Sequence, residues 1–151
     1  MAAAAAFLHH LAAFTLVSAL AVEAVLINSG LTLRTARILQ RADMILGGAA
    51  VVLLIVGIAR AFHFEKGWTY YSASIPFIAK LSVFIILALL SIYPTIVFLS
   101  WRNPLKLGKI LTATDDGLRL VRIFIYLELA GVVLILLLAV LMAKGIGYWS
   151  G

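Results

Sequence analysis

Six ionisable residues in the long apolar stretches of this chain are candidates for chemistry: His9, His10, Glu23, Arg60, Lys80 and Glu128. A charged side chain near the bilayer centre costs on the order of 2.5–3.5 kcal/mol on insertion scales, so such a residue usually has a function. Imidazole and amine groups can ligate a metal ion or exchange a proton. Which of these chemistries is available depends on the elements that carry the six side chains.

Four apolar stretches are each long enough, at about 20 residues, to cross the hydrocarbon of a bilayer. They cover roughly residues 7–27, 44–62, 76–100 and 118–143. Because unpaired backbone groups are not tolerated in lipid, all four are predicted to be helices. The first has no basic residue before it, so we interpret it as a retained helix rather than a signal peptide.

The composition agrees with a membrane protein, since 65% of the 151 residues are hydrophobic, 12% are charged and the mean hydropathy is +1.17. We therefore predict an all-α, integral membrane four-helix bundle with short loops, formed by one domain over residues 1–151. Because the chain has no cysteine, disulfides and thiolate metal sites are excluded.

Basic residues are concentrated in the first and third connections between the predicted helices. They are Arg34, Arg37 and Arg41 in the first connection, and Arg102, Lys106 and Lys109 in the third. The positive-inside rule then predicts that these connections are cytoplasmic and that both termini lie outside. The net charge of +6 is attributed to this orientation and to anionic lipid, with no role in nucleic-acid binding.

The first connection is predicted to be a short amphipathic extension of the second helix. Its arginines share one helix face, and Leu33, Ala36 and Leu39 are expected to face the lipid boundary.

Further local signals concern the ends of the third and fourth helices. Pro94 is expected to kink the third helix, and Asn103-Pro104 to end it. Thr114-Asp115-Asp116 is a predicted N-cap for the fourth helix. Trp101 is expected to mark the inner membrane boundary, opposite an outer aromatic belt of Trp68, Tyr70, Tyr71, Tyr148 and Trp149.

Three of the helices bring basic groups to a similar depth near the outer face. His10, Arg60 and Lys80 each lie about one turn inside the outer end of a helix. This set suits a haem, because neutral imidazole ligates haem iron, a buried lysine can act as ligand or base, and arginine pairs with propionates. Alternatively, Arg60 and Lys80 reach the headgroups and the histidines are solvated. His9 and His10 point about 100° apart, and the sequence does not decide which faces the bundle.

Two acidic residues lie toward the cytoplasmic half. Glu23 is similar in depth to Arg41 and within reach of Arg122, so a structural ion pair is predicted for it. Glu128 is deeper, about ten residues into the fourth helix, and is expected to face the bundle toward Ser91 or Tyr93. A proton relay is the alternative role for these carboxyl groups.

Three segments carry a resemblance to a known family. They are residues 8–14 (LHHLAAF), residues 60–67 (RAFHFEKG), and Ala79-Lys80-Leu81 followed by residues 90–95 (LSIYPT). Together they resemble a bacterial family of small four-helix membrane proteins, domain of unknown function 2214, over essentially the whole chain. This resemblance implies a multi-pass protein of the bacterial inner membrane.

That family is in turn distantly similar to the J-type protoporphyrinogen oxidase and to the copper-resistance D membrane proteins. In the J-type oxidase a first-helix histidine and a third-helix lysine are associated with haem, and they match His10, or His9 with a one-residue shift, and Lys80. The resemblance implies haem b with His10 on the iron, Lys80 as second ligand or catalytic base, and Arg60 as a propionate partner. The chain lacks the tryptophan of that first helix and has Glu23 in place of a further basic residue, which argues against protoporphyrinogen oxidation itself.

The sequence therefore predicts a haem- or porphyrin-binding protein for electron transfer or tetrapyrrole oxidation; if it is an enzyme, it is a haem-dependent oxidoreductase. One alternative is an accessory subunit of a larger respiratory, photosynthetic or transport complex, or a homo-oligomer, packed through the small residues Gly47-Gly48-Ala49-Ala50. Another is a small transporter or metal-handling protein, although three methionines and no cysteine argue against a copper(I) path. Motifs of hydrolases and nucleotide-dependent pumps are missing.

Overall fold

A computed structural model describes residues 2–64, 74–108 and 115–144 of the chain. The helices are α1 (Ala2–Leu26), α2 (Leu33–Ala59), α3 (Ile75–Leu90), α4 (Ile92–Ser100), α5 (Arg102–Lys106) and α6 (Asp115–Ala143), and a π-helical turn (Arg60–Phe64) follows α2. Within these residues, four spans are long and apolar enough to cross a membrane: Ala2–Leu26, Leu33–Phe62, Ile75–Lys106 and Asp116–Ala143. The predicted all-α membrane four-helix bundle is confirmed.

The second span begins well before the apolar stretch that predicted it, at Leu33 rather than Met44. Thr32 is the N-cap: its hydroxyl accepts a hydrogen bond from the backbone N–H of Thr35 (3.1 Å), and the Thr35 hydroxyl accepts one from the N–H of Thr32 (2.7 Å). This reciprocal capping satisfies two backbone donors that a helix start would otherwise leave unpaired. Gly30, with a φ of +89°, turns the chain just before it.

The first turns of α2 are amphipathic, but their apolar face packs on protein. Ala36 and Leu39 are fully buried, and Leu33 packs against the core. The guanidinium of Arg37 donates to the carbonyl oxygen of Leu105 (3.3 Å), which ties α2 to the end of the third span. The prediction that Leu33, Ala36 and Leu39 face lipid is therefore wrong, because the third span covers them.

The third span is helical over its whole length with two interruptions. Between α3 and α4 the helix breaks at Ser91, three residues before Pro94, as the missing N–H of that proline predicts. Pro104 does not end the span, because it lies in the first turn of α5, where a missing N–H breaks no helical hydrogen bond. The helical region instead ends near Gly108, whose φ is +64°.

Trp101 belongs to the core rather than to a boundary belt. Its side chain is only 6% exposed, and its ring centroid lies 5.2 Å from that of Phe98. The boundary role predicted for Trp101 is therefore wrong, since the start of α2 covers this part of the third span. The other residues of the predicted belts, together with Thr114, lie outside the described residues.

The two ends of the bundle differ in packing. We call the end where α1 turns into α2 the basic end, and the opposite one, where α1 begins and α6 finishes, the terminal end. The buried core clusters toward the basic end and draws on all four spans: Ala19, Leu20, Ile27, Ala36, Leu39, Leu46, Phe98, Trp101, Leu105, Val121 and Ile125. The amide of Gln40 adds a hydrogen bond to the carbonyl oxygen of Phe98 across this core.

Candidate functional site

A cavity of about 290 Å³ lies between the four spans in the terminal half of the bundle. Its walls come from stretches within residues 9–20, 46–58, 77–91 and 128–139. At 1.5 Å per helical residue, these stretches are about 17–21 Å long, which is more than half of the roughly 30 Å hydrocarbon. The walls are mainly aliphatic and phenyl groups, so the cavity is an elongated apolar slot with polar groups near its two ends.

Three side chains with basic nitrogen atoms line the terminal end of the slot: His9 and His10 from α1, and Lys80 from α3. The partly buried ring of His9 lies over α2, with Cε1 only 3.4 Å from the position that a Cβ on Gly57 would take. The Nδ1 atom of the more exposed His10 is 2.7 Å from the carbonyl oxygen of Ala6. Because a carbonyl oxygen only accepts, Nδ1 is the donor in this contact, and in a neutral ring Nε2 would then carry the lone pair.

Both histidines therefore reach the same cavity, which resolves the alternative that the sequence left open. Their ring centroids are 6.0 Å apart, and the ring planes are nearly perpendicular at 85°. Arg60 is not among the residues that line the slot. It opens the π-helical turn that follows α2, a distortion that often occurs at functional sites.

Three carboxyl groups from three different helices meet toward the basic end of the slot. Glu23 of α1 is 1% exposed, Asp43 of α2 is 5% exposed and Glu128 of α6 is 4% exposed. The charges of Asp43 and Glu128 both act on Glu23, and the charge of Asp43 also acts on Glu128. We call Glu23, Asp43 and Glu128 the carboxyl cluster; of the three, Glu128 also lines the slot.

The register of α1 against α2 explains why two of these groups meet. The ring of His9 lies over Gly57, and the two helices run antiparallel. Glu23 is fourteen residues after His9, and Asp43 is fourteen residues before Gly57. Fourteen residues make nearly four turns, so Glu23 and Asp43 lie level with each other on the facing sides of the two helices.

Hydroxyl groups at the break in the third span hold the other two carboxyl groups. Thr95 donates a hydrogen bond of 2.7 Å from Oγ1 to Oδ1 of Asp43, and the Ser91 hydroxyl is a hydrogen-bonding neighbour of Glu128. Glu128 thus faces the bundle and Ser91, whereas the ring of Tyr93 packs against Phe124 at 5.1 Å.

Two buried oxygens of the carboxyl cluster are not satisfied. Within the part of the chain that the structure describes, Oε1 of Glu23 and Oε1 of Glu128 have no hydrogen-bond partner. The ion pair predicted for Glu23 is not formed among these residues, because Arg41 and Arg122 lie on exposed helix faces while Glu23 is inside the core. The charged neighbours of Glu23 are acidic instead.

Sequence reasoning missed Asp43 because this residue lies just before the apolar stretch that begins at Met44, in the segment that was predicted to extend the second helix along the lipid boundary. A signal was nevertheless present. Ala36, Leu39, Asp43 and Leu46 are spaced by three, four and three residues, which is the pattern of one buried helix face. Once the helix is known to begin after its N-cap, Thr32, an aspartate in this stripe indicates a carboxyl group that faces the core.

No group of three or more His, Cys, Asp or Glu side chains within residues 2–64, 74–108 and 115–144 is arranged to hold a metal ion. A single metal-bound ring nitrogen, as in a haem protein, does not require such a group.

The fold and the slot define a four-helix integral membrane protein with a ligand-sized cavity inside the bundle. The chain belongs to the family described as "Predicted membrane protein (DUF2214)", which matches residues 1–147. This match confirms the resemblance seen in the sequence. No curated protein and no solved structure matches the chain.

Proposed function

We propose that this protein binds a b-type haem or a related porphyrin within the bacterial inner membrane, for electron transfer or tetrapyrrole oxidation. One observation carries the proposal: His9, His10 and Lys80 line one end of an apolar slot between four spans. A tetrapyrrole is a flat, largely apolar ring with a metal that takes nitrogen ligands and with carboxylates along one edge. The slot offers apolar walls and nitrogen bases in a matching arrangement.

The residues present fit such a group. The donor Nδ1 of His10 is held by the carbonyl oxygen of Ala6, and metal-bound histidines usually donate their second nitrogen in this way, which fixes the ring and its tautomer. The size of the slot, about 290 Å³, is at the lower edge of the about 300–1,000 Å³ typical of ligand sites. A porphyrin would therefore fill it and press the lining side chains outward.

The four basic residues at or near the terminal end of the slot each have a role in this proposal. His10 would hold the metal through Nε2, and His9 is the substitute ligand on the neighbouring face. Lys80 would serve as second ligand or as a base, both of which are roles that a lysine amine can take. Arg60, just beyond the slot, would pair with a propionate. A bound haem would supply one-electron transfer, while these residues orient it and exclude water.

Absorption spectra of the purified protein test this function. We expect a Soret band when the protein is produced with haem supply and purified in detergent, and a shift of that band on reduction. His10→Ala should abolish the band or move it strongly, and Lys80→Met should alter it. Gly47→Ala is the matched control, because Gly47 is exposed and has open space beside it. Haem-replete wild-type protein without a Soret band would contradict the proposal.

A second candidate function is that of an accessory subunit, favoured by a shallow groove on the outside of α1 and α2. The groove encloses about 250 Å³ and is lined by Leu8, Leu11, Ala12, Thr15, Ile45, Gly48, Ala49 and Val52. No atom lies within 4 Å of the positions that a Cβ would take on Gly47 or Gly48. A surface of small residues lets another backbone approach closely, so the proposed occupant is a transmembrane helix of another subunit.

Co-purification tests this second candidate. A partner at fixed stoichiometry, lost in Gly48→Leu but kept in Ile78→Leu on the exposed side of α3, would support it. A wild-type protein that remains a monomer without a partner in mild detergent and in native nanodiscs would contradict it.

A further inference from the structure

Glu128 connects the two polar features of the bundle. It lines the slot that also contains His9, His10 and Lys80, and it is an electrostatic neighbour of Asp43 and Glu23. Its side chain is 4% exposed, and its Oε1 has no partner among the described residues. A buried, unsatisfied oxygen beside a cavity is a place where a proton or a proton-exchanging ligand can bind.

We propose that Glu23, Asp43 and Glu128, with the hydroxyls of Thr95 and Ser91, form an intramembrane proton-binding network that exchanges protons with the slot through Glu128. The proposal is independent of haem, because it requires only the slot and the carboxyl cluster.

The three carboxyl groups of the cluster repel one another when they are ionised. Like charges repel strongly where water is excluded, and each ionised carboxylate in hydrocarbon is costly by itself. Within the described residues, the three groups have one another as charged neighbours and form no salt bridge with a basic side chain. Two carboxyl groups that share a site do not both ionise readily, as in the aspartic proteases. At least one of the three carboxyl groups is therefore expected to stay protonated.

Other titratable side chains face the slot or lie near the cluster within the described residues. His9, His10 and Lys80 line the far, terminal end of the slot, and Arg37, Arg41, Tyr93, Arg122 and Tyr126 lie at the depth of the cluster along the helices. Arg37 donates to Leu105, Tyr93 packs on Phe124, and Tyr126 accepts a hydrogen bond from Asn28, which lies in the turn after α1. Arg41 and Arg122 are exposed.

The hydroxyl groups of Thr95 and Ser91 provide a route for a proton between the carboxyl groups. Thr95 binds Asp43 and Ser91 binds Glu128. Residues four apart on a helix have Cβ atoms about 5–6 Å from each other, so the two contacts lie about one turn apart, with Glu128 on the side of the slot. A hydroxyl both donates and accepts.

Transfer along this route conserves atoms and charge. The hydroxyl, which donates to the carboxylate, first turns to accept from the carboxyl group once that group is protonated. The O–H bond of the carboxyl group then breaks, and its proton goes to an oxygen lone pair of the hydroxyl. That hydroxyl releases its own proton to the next acceptor, and the carboxylate left behind takes the negative charge. The last acceptor is Glu128, from which a proton passes to a basic atom of a molecule in the slot. No oxidant or reductant is needed for this step.

Infrared titration of the whole protein in lipid vesicles tests the network. Wild-type protein should show a carboxylic acid C=O band at neutral pH that shifts in D2O and disappears as the pH is raised. Glu128→Gln, Glu23→Gln and Asp43→Asn should each remove the band or shift its titration midpoint. Asp116→Asn is the matched control, because Asp116 is an exposed acid at the start of α6, and it should leave the band unchanged.

Milder variants keep the proposal testable if an amide variant does not fold. Thr95→Val and Ser91→Ala keep all three carboxyl groups, and they should slow hydrogen–deuterium exchange of the acid band without removing it. The proposal is overturned if neutral wild-type protein has no such band, or if Glu128→Gln leaves it unaltered. A band that disappears on adding Na⁺ or K⁺ at constant pH would also overturn it, because the cluster would then bind a metal cation.

Discussion

The half of the bundle at the basic end (the basic half) and the half at the terminal end (the terminal half) are built from the same four spans but are packed differently. In the basic half, side chains such as Leu39, Phe98 and Ile125 are fully buried. In the terminal half, the same helices enclose a slot of about 290 Å³ bordered by His9, His10 and Lys80. The spans meet tightly at one end and leave space for another molecule at the other.

This difference has a particular meaning in a membrane. Burial of apolar side chains gives little driving force between helices when the surrounding lipid is equally apolar, so close packing and interhelical hydrogen bonds hold the helices together. The basic half has both, with the Phe98–Trp101 contact and the bonds from Gln40 and Thr95. We infer that it stabilises the fold and thereby allows the terminal half to keep a cavity.

The largest expected effect comes from removing a ring in the packed half. Phe98→Ala should lower the free energy of unfolding by about 3–5 kcal/mol, because the contacts of a fully buried ring are lost and the site cannot collapse. Phe84→Ala is the matched comparison, since Phe84 is partly exposed and already borders the slot, and it should have less than half that effect. Unfolding in mixed micelles by denaturing detergent measures both, and equal losses would remove the distinction between the two halves.

A methyl group added beside the slot should have the next largest effect. A Cβ on Gly131 would lie 2.5 Å from Cδ2 and 3.0 Å from Cγ of Leu87, so Leu87 must move toward the slot that it lines. Gly131→Ala should destabilise the protein by about 1–3 kcal/mol and reduce occupancy of the slot. The double variant Gly131→Ala/Leu87→Ala should restore occupancy, and Gly47→Ala should not reduce it. Full occupancy in Gly131→Ala alone would show that the slot does not hold the ligand.

Loss of a single hydroxyl in the packed half should have a smaller effect. Thr95→Val removes the donor to Asp43 and leaves a buried carboxyl oxygen unsatisfied, which should lower the free energy of unfolding by about 1–2 kcal/mol. Thr15→Val is the control, because the hydroxyl of Thr15 bonds only to the carbonyl of Leu11 in its own helix. The same unfolding measurement applies, and a Thr95 variant as stable as the control would argue against a tight contact there.

The smallest expected effect concerns the start of α2. Thr32→Ala removes the reciprocal cap and should lower the free energy of unfolding by about 0.5–1 kcal/mol. Amide hydrogen exchange should accelerate in the first turn of α2 but not in the terminal half. Thr32→Ser should retain most of the protection, and Ser29→Ala serves as the nearby control. Faster exchange around the slot would show that the two halves are not independent.

The sequence predicts those parts of the fold that follow from long runs of one residue type. Four apolar runs predict four spans, and Pro94 predicts the break at Ser91, because both signals act locally. His10 and Lys80 were also placed at a similar depth by counting residues from the helix ends, and the structure brings both to the slot.

The parts that the sequence did not predict depend on contacts between distant segments. The sequence predicts residues 33–43 as an amphipathic extension of the second helix but turns its apolar face toward lipid, whereas the third span covers that face and buries Ala36, Leu39 and Asp43. Trp101 was assigned to a boundary for the same reason, since nothing near it in the sequence indicates that α2 covers it. The burial of Asp43 could therefore be recognised only once the packing of the first turns of α2 was known.

The length of the second span has a consequence for the lipid around it. Thirty residues, Leu33–Phe62, extend about 45 Å at 1.5 Å each, whereas the hydrocarbon layer is about 30 Å thick and helix tilt rarely exceeds about 40°. Even at that tilt the helix extends about 34 Å along the membrane normal, so part of it must project from the hydrocarbon layer. The exposed Arg34, Arg37 and Arg41 indicate which end projects. Local bilayer thickness and tilt should therefore decide how much of the basic end stands clear of the hydrocarbon.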